Sequence, residues 1–77
     1  MPRYFFHIHH TSTQTDHEGK ELPDKDTALE EGAATLGRLL RDIPGCLLAC
    51  DEPWRMEITD EFADPLFEIE FIVRRKT

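Results

Sequence analysis

Basic residues are scarce in this chain, and no long apolar run occurs in it. Nine Lys and Arg residues stand against 16 Asp and Glu residues, which gives a formal net charge of −7 at pH 7 and a sequence pI of about 4.9. Because such a charge repels polyphosphate, general nucleic-acid binding is disfavoured. A transmembrane helix needs about 18 or more apolar residues in a row. None is present, so no membrane span is predicted. No targeting segment is predicted either, because the opening Met1 to Phe6 runs straight into His7, His9 and His10 without a continuous apolar stretch.

Cysteine is nearly absent as well. The chain has only Cys46 and Cys50, spaced four apart on an apolar segment. Two cysteines are too few for the disulfide framework of a small secreted domain, so we expect a reducing, cytoplasmic compartment. Their spacing is not that of a C-x-x-C redox motif, and we interpret both as small buried hydrophobic residues.

The length of the chain limits what it can build. Its 77 residues predict a single domain over residues 1–77, and 39% hydrophobic with 32% charged residues is typical of a folded chain. No Gly-rich phosphate-binding loop is present. A two-domain enzyme is therefore excluded, and a large active-site cavity is not expected.

The N-terminal third has the period of β-strands. Residues Arg3 to His9 alternate, with Tyr4, Phe6 and Ile8 on one side, which predicts a strand. After a polar turn, Thr15 to Leu22 predicts a second, weaker strand that Gly19 either interrupts or bends.

From Asp24 the period changes to that of a helix. Apolar residues at spacings of three and four form one stripe: Leu29, Ala33, Leu36, Leu40 and Ile43. Asp24, Asp26 and a capping box at Thr27 compete as the start, and Pro44-Gly45 ends the helix. Gly32 and Gly37 each weaken it by about 1 kcal/mol, so either a strand approaches closely there or the loss is tolerated.

The C-terminal third predicts an antiparallel hairpin. Trp54, Met56 and Ile58 alternate with polar residues, and after a turn from Asp60 to Pro65 a second alternation starts, with its apolar side at Phe67, Ile69, Phe71 and Val73. The fold class is therefore α+β, in the order β-β-α-β-β, with one amphipathic helix on one face of a four-stranded antiparallel sheet of unknown strand order.

The other face of that sheet is a candidate interaction surface. It mixes charged residues with Phe5, His7, Leu66 and Ile72. A partner protein, a second copy of the chain or water covers it, since antiparallel sheets often leave one face solvated. An exposed strand edge is a second route to association.

Histidines suggest a metal site, which Cys46 and Cys50 could join only if the fold brings them close. His7 and His9 share a strand face, with His10 and His17 nearby, and Asp16 or Glu18 would complete a set. No four of these residues have metal-site spacing, so we predict no metal and no cofactor, and His7, His9 and His17 remain weak candidates only.

Catalytic groups are not set apart by any pattern. Asp16, Glu18, Glu21 and Asp24 cluster beside His17. Carboxylates on a loop and at a helix start are usually solvated caps, and catalysis also needs a pocket that shifts their pKa values. We therefore predict a chain that is not an enzyme.

Two blocks carry a family resemblance. They are the opening run Met1-Pro2-Arg3-Tyr4-Phe5-Phe6-His7-Ile8 and the run Asp16-His17-Glu18-Gly19-Lys20-Glu21-Leu22-Pro23-Asp24. With Trp54 to Asp60, they resemble a family of small bacterial proteins, abundant in rhizobia and related alphaproteobacteria, that is classed as a domain of unknown function. The resemblance implies the fold and a bacterial origin, and no ligand or activity.

A second resemblance is to HicB-type antitoxins. It rests on Leu22-Pro23-Asp24 leading into an acidic helix start. That family usually has a separate DNA-binding tail, and this chain ends soon after its last predicted strand. The leading hypothesis is a non-enzymatic cytoplasmic binding or regulatory module that self-associates. The alternatives are an antitoxin-like partner of a basic ribonuclease toxin and a small His-based metal protein.

Overall fold

An antiparallel sheet with one helix against one of its faces makes up the structure, a computed structural model that describes residues 1–10, 13–44, 52–74 and 76. The expected α+β class is confirmed. In chain order the elements are β1 (Arg3–His9), β2 (Thr13–Gln14), β3 (Lys20–Glu21), α1 (Lys25–Asp42), β4 (Trp54–Thr59) and β5 (Pro65–Phe71). The segment with Cys46 and Cys50 lies outside the described residues.

The strand order, which the sequence left open, is β2-β1-β4-β5, and β3 pairs with the other end of β1. The second strand expected from Thr15 to Leu22 is wrong as a single element. Two strands of two residues each pair with β1, β2 at Ile8 and His9 and β3 at Arg3 and Tyr4. The chain between them leaves the sheet and returns to it through Gly19, whose φ of 69° is a conformation that favours glycine.

The apolar sides of the strands meet α1 as their alternation predicts. Met56 and Ile58 of β4 are fully buried, and Tyr4 of β1 is 4% exposed. Phe67 and Ile69 of β5 pair with β4 and pack against this core. The central strand thus supplies the middle of the core, and β1 and β5 supply its flanks.

The helix begins where one of the competing caps predicted. Asp24 is the N-cap, and its side-chain Oδ1 accepts a hydrogen bond of 2.8 Å from the Thr27 N–H. The helix ends at Asp42, with Ile43 as C-cap, just before Pro44. It is therefore as long as the sequence predicted.

The buried stripe of α1 differs from the predicted one. Ala28, Gly32 and Leu36 are its buried residues, whereas Ala33 is exposed. An alanine Cβ placed on Gly32 would lie 2.6 Å from Ile58 Cδ1 and 3.3 Å from Met56 Sδ. The small residues Ala28 and Gly32 face the sheet, and they allow the helix backbone to approach β4 closely. The prediction from the sequence placed this face wrongly because it relied on large apolar residues.

Gly37 corresponds to the other alternative, in which the loss of helix propensity is tolerated. It is exposed, and no described atom lies within 4 Å of a Cβ placed there. Close approach therefore accounts for Gly32, while the loss of helix propensity at Gly37 is tolerated.

These two glycines give a matched test of the helix packing. Gly32→Ala should lower the free energy of unfolding by about 1–3 kcal/mol, because the new methyl group enters a filled core. Gly37→Ala should raise it by about 0.5–1 kcal/mol, because alanine is the better helix former at an open position. Urea unfolding followed by circular dichroism measures both. A Gly32→Ala variant as stable as the unchanged chain would contradict the close approach of α1 to β4.

Candidate interaction surface

The sheet face opposite α1 is polar along most of its length, and we call it the polar face. Cross-strand pairing arranges it in rows, with one residue from each strand. One row runs from His9 to Arg55 to Glu70, and the next from His7 to Glu57 to Glu68. The polar face comprises Phe5, His7, His9, Arg55, Glu57, Thr59, Glu68 and Glu70.

The loop of residues 15–19, which we call the Asp16 loop, is tied to β1 by a single carboxylate. Asp16 Oδ2 accepts a hydrogen bond of 3.2 Å from the Phe6 N–H. Its Oδ1 accepts 3.1 Å bonds from the N–H groups of Glu18 and Gly19. One side chain thus closes the turn of its own loop and fastens that loop to a strand ten residues earlier.

Backbone donors set the ionisation of this carboxylate. Partial burial acts to raise the pKa of Asp16, but the N–H groups of Gly19, Phe6 and Glu18 favour the ionised form and outweigh it. The pKa therefore lies below its ordinary value of 3.8. The shift reflects a structural contact and does not mark Asp16 as a catalytic acid.

Gly19 allows the Asp16 loop to lie close against β1. A Cβ at this position would lie 2.8 Å from the Tyr4 carbonyl oxygen and 2.8 Å from Phe5 Cε1. Its positive φ also favours glycine. The run Asp16-His17-Glu18-Gly19 is therefore a compact turn. The Asp16 carboxylate accepts its hydrogen bonds, and the missing side chain of Gly19 lets the turn lie against β1.

His7 is held on both ring nitrogens. Nδ1 accepts a bond of 3.1 Å from the Asp16 N–H, so the ring proton is on Nε2, which donates to Thr59 Oγ1 at 3.3 Å. Thr59 is 5% exposed. A metal ion could bind His7 only by breaking one of these bonds, which makes this residue structural.

The other histidines do not join it. His9 Nδ1 lies 3.1 Å from Thr13 Oγ1, and the His10 ring stacks on Trp54 at a centroid distance of 3.8 Å. His17 is exposed on the Asp16 loop. Among the described residues no three His, Cys, Asp or Glu side chains are grouped closely enough to hold a metal ion.

A small pocket lies at the end of the polar face where β1 finishes. It has a volume of about 160 Å³ and is lined by His9, His10, Pro53, Arg55 and Glu70. His9 Nε2 and Arg55 Nε are buried and have no hydrogen-bond partner within the described parts of the chain. Such buried polar atoms are commonly satisfied by ordered water.

The carboxylates expected to cluster near His17 have separate roles. Asp24 caps α1, and its pKa is lowered by the backbone N–H and the side chain of Thr27. Glu21 pairs with Arg3 at 3.1 Å, while Glu18 contributes its carbonyl oxygen to the same guanidinium at 2.7 Å. The Asp24 carboxylate thus serves as a helix cap and that of Glu21 forms a surface ion pair, while Glu18 contributes through its backbone.

Acidic residues dominate the polar face next to β5. Glu57 and Glu68 are direct cross-strand partners, an arrangement of like charges that weakens a sheet. Arg55 is the nearest cation on this part of the face, and its Nη1 lies 3.8 Å from Glu68 Oε2. Both side chains are more than two-fifths exposed, so this pair compensates little of the repulsion.

The two edges of the sheet differ. One side of β1 is covered at both ends, by β2 and by β3. Six of the seven residues of β5 pair with β4, and no described strand pairs with its other side, which we call the free edge. A free edge of this length presents unpaired backbone N–H and C=O groups to another chain.

The residues predicted to form an interaction surface lie in β1, near the start of β5 and directly after β5. Phe5 and His7 are half-buried, and the Phe5 and His7 rings are stacked at 6.4 Å. Leu66 is the extra residue of a register shift at the start of β5 and packs against the core. Ile72 follows β5 and is 41% exposed.

Sequence reasoning missed one exposed aromatic residue. Phe62 lies in the β4–β5 turn and is 77% exposed. Asp60 Oδ1 accepts bonds from the N–H groups of Phe62 and Asp64, and Ala63 has a φ of 65°. The signal was a large apolar residue inside the predicted turn from Asp60 to Pro65.

Membrane insertion by helices has no support in the described ranges. Within residues 1–10, 13–44, 52–74 and 76, no helix combines the length and the apolar character needed to cross a membrane.

The role of Asp16 gives a prediction with a defined pH dependence. Because its pKa is lowered by folding, Asp16 stabilises the fold above about pH 3.8, and this contribution is lost as the pH falls through the lowered value. Asp16→Asn should remove that acid-side dependence. It should also lower the free energy of unfolding near neutral pH by about 1–3 kcal/mol, since one acceptor oxygen is lost.

Urea unfolding at a series of pH values checks this prediction. Glu61→Gln, an exposed carboxylate in the β4–β5 turn, is the matched control and should behave like the unchanged chain. An Asp16→Asn variant with the original pH profile would show that the Asp16 loop is held by other contacts.

Comparison with known proteins agrees with the two sequence blocks at the level of the family. A family model described as a domain of unknown function, DUF6894, matches residues 3–72. No curated protein and no solved structure matches the chain. The rhizobial origin and the likeness to HicB-type antitoxins stay predictions. Because the match spans β1, the Asp16 loop, α1 and the C-terminal hairpin, the chain belongs to the DUF6894 family, whose function is unknown.

Proposed function

We propose that this chain is a non-enzymatic binding or regulatory module, and that it binds by accepting an extended strand of another chain on the free edge of β5. The observation that carries the proposal is the asymmetry of the sheet, with β1 covered at both ends and no described strand on the outer side of β5. Strand addition to an open edge gives affinity through backbone hydrogen bonds and specificity through alternate side chains.

Half-buried apolar residues at the free edge support this role. Phe67, Ile69 and Phe71 pack against the core from β5 but keep part of their surface in water. A further strand would cover that surface and extend the apolar layer under α1. Pro65 at the first position of β5 is the only proline in that strand, so six of its residues have an N–H group.

The polar groups of the described residues favour binding over catalysis. The two lowered carboxyl pKa values belong to Asp16 and Asp24, and backbone N–H groups that these side chains cap are the cause of both. A carboxyl that serves as a catalytic acid near pH 7 has its pKa raised toward neutrality, beside a pocket for substrate. Neither carboxyl has that property.

A proline scan of β5 tests the proposal. In an antiparallel strand successive N–H groups point to opposite sides, so of Glu68→Pro and Ile69→Pro one removes an outward donor and the other breaks pairing with β4. Circular dichroism identifies the variant that keeps the fold. Tagged chain in a lysate of the cells that produce it should capture a partner protein, and the folded proline variant should lose that partner.

The matched control is Ala33→Arg on the exposed side of α1, which should keep the partner. Retention of the same partner by the folded proline variant would contradict strand addition at β5. Loss of the partner by Ala33→Arg, with β5 intact, would place the binding surface on the helix.

A second copy of the chain is the second candidate for the occupant. An antiparallel pair centred on Ile69 would place Phe67 opposite Phe71 of the other copy, and this apolar match favours self-association. The same register places Glu68 opposite Glu70 of the other copy, twice. Self-association through this edge is therefore opposed by like charges.

This balance predicts a salt dependence. Raising NaCl from about 0.05 M to about 0.5 M should strengthen self-association, because salt screens the carboxylates and leaves the apolar contact. Sedimentation equilibrium measures the change, and Glu68→Gln with Glu70→Gln should give the same gain at low salt. A dimer whose stability falls as salt rises would contradict pairing through β5.

A further inference from the structure

The geometry points to a basic, strand-forming segment as the partner of the free edge, one that alternates Lys or Arg with apolar residues. This inference rests on the proposed function, since it assumes that β5 accepts a strand. It adds the charge and the residue pattern of the strand that the free edge would bind.

The charge pattern beside the free edge is the first argument. Three carboxylates, Glu57, Glu68 and Glu70, share the polar face of β4 and β5 with a single guanidinium, that of Arg55. Three negative charges and one positive charge leave this patch at −2. Lys or Arg side chains of an added strand would stand next to Glu68 and Glu70 and compensate this charge.

The repulsion already present within the sheet is the second argument. Glu57 and Glu68 face each other across β4 and β5, although a partner of opposite charge would stabilise the sheet. The Arg55–Glu68 pair, at 3.8 Å and in partial contact with water, relieves only part of this cost. A local arrangement that costs stability is typical of a surface kept for binding.

The alternation of β5 sets the pattern of the partner. Its charged residues, Glu68 and Glu70, lie on the polar face, and Phe67, Ile69 and Phe71 lie on the side of α1. Directly opposed residues of an antiparallel pair point to the same face. Basic residues of the partner must therefore recur every second position, with apolar residues between them.

The same carboxylates discriminate against other strands. Charged residues at sheet edges prevent unwanted pairing between copies, and here they are acidic on a chain with a net charge of −7. An acidic or self-complementary strand meets repulsion, whereas a basic strand gains attraction over the whole approach. Repulsion of acidic strands and attraction of basic strands thus favour the same partner.

Synthetic peptides test the inference on the whole chain. The probe is a capped seven-residue peptide that alternates valine with lysine, and its affinity is measured by the change in Trp54 fluorescence and by calorimetry. We expect this peptide to bind the unchanged chain. Its affinity should fall at least about tenfold when Glu68→Gln and Glu70→Gln are combined, and it should also fall as the salt concentration rises. A peptide that alternates valine with glutamate should not bind.

Two controls separate charge selection from general attraction. Glu30→Gln with Asp42→Asn removes the same charge from exposed positions of α1 and should leave the affinity within about twofold. A charge-reversed chain, Glu68→Lys with Glu70→Lys, should exchange its preference and bind the glutamate peptide. A lysine peptide with its valines and lysines in two blocks should bind more weakly than the alternating one.

The outcomes distinguish this inference from the proposed function. Equal binding of the lysine and glutamate peptides would overturn charge selection and leave strand addition in place. Loss of lysine-peptide binding in the α1 control would also overturn it, since attraction would then be a property of the net charge. No binding of any peptide would overturn the inference, while capture by the folded proline variant would still decide the proposed function separately.

Discussion

The Asp16 carboxylate organises the first half of the molecule, because it accepts hydrogen bonds from three backbone N–H groups at once. Two of these close the Asp16 loop and the third belongs to β1. In return, the Asp16 N–H donates to His7 Nδ1, so strand and loop hold each other in a fixed register. β2 and β3 then lie on either side of the loop and cover one edge of β1. Because β1 is paired there at both of its ends, the longest edge without a partner strand among the described residues is that of β5.

The helix imposes a second constraint that leads to the same asymmetry. Gly32 lets α1 approach β4 closely, so the apolar residues of the sheet are gathered under one helix. Among the described residues the opposite face is mostly polar and holds charges such as Glu57, Glu68 and Glu70. A single short chain can bury only part of its surface. Glu57 and Glu68 can face each other in this fold because water solvates them, and the acidic charge beside the free edge is the basis of the proposed preference for a basic strand.

Much of the fold follows from the spacing of apolar residues and from the residues that begin or end helices and strands. The alternation at Tyr4, Phe6 and Ile8 predicted β1 with its correct inner face, and the Asp24 cap marked the start of α1. Small residues caused the errors. Ala33 is exposed where Gly32 is buried, because hydrophobicity does not report how closely two backbones approach.

The candidate surface was predictable only in part. Phe5, His7, Leu66 and Ile72 were placed on one face by period alone, but the register shift at Leu66 turns that residue toward the core. The pairing of His7 with the Asp16 loop depends on a contact nine residues apart, for which the sequence has no local signal. Which edge stays open depends on strand order, and strand order is a property of tertiary packing.

Residue-resolved amide hydrogen exchange on β5 measures whether its outer edge is open. In the free chain alternate amides from Leu66 to Phe71 should exchange rapidly while their neighbours, bonded to β4, are protected. Those rapid amides should become protected when the alternating lysine peptide binds. Protection of every β5 amide in the free chain, or protection on binding that appears only outside β5, would contradict an open edge at β5 that accepts a strand.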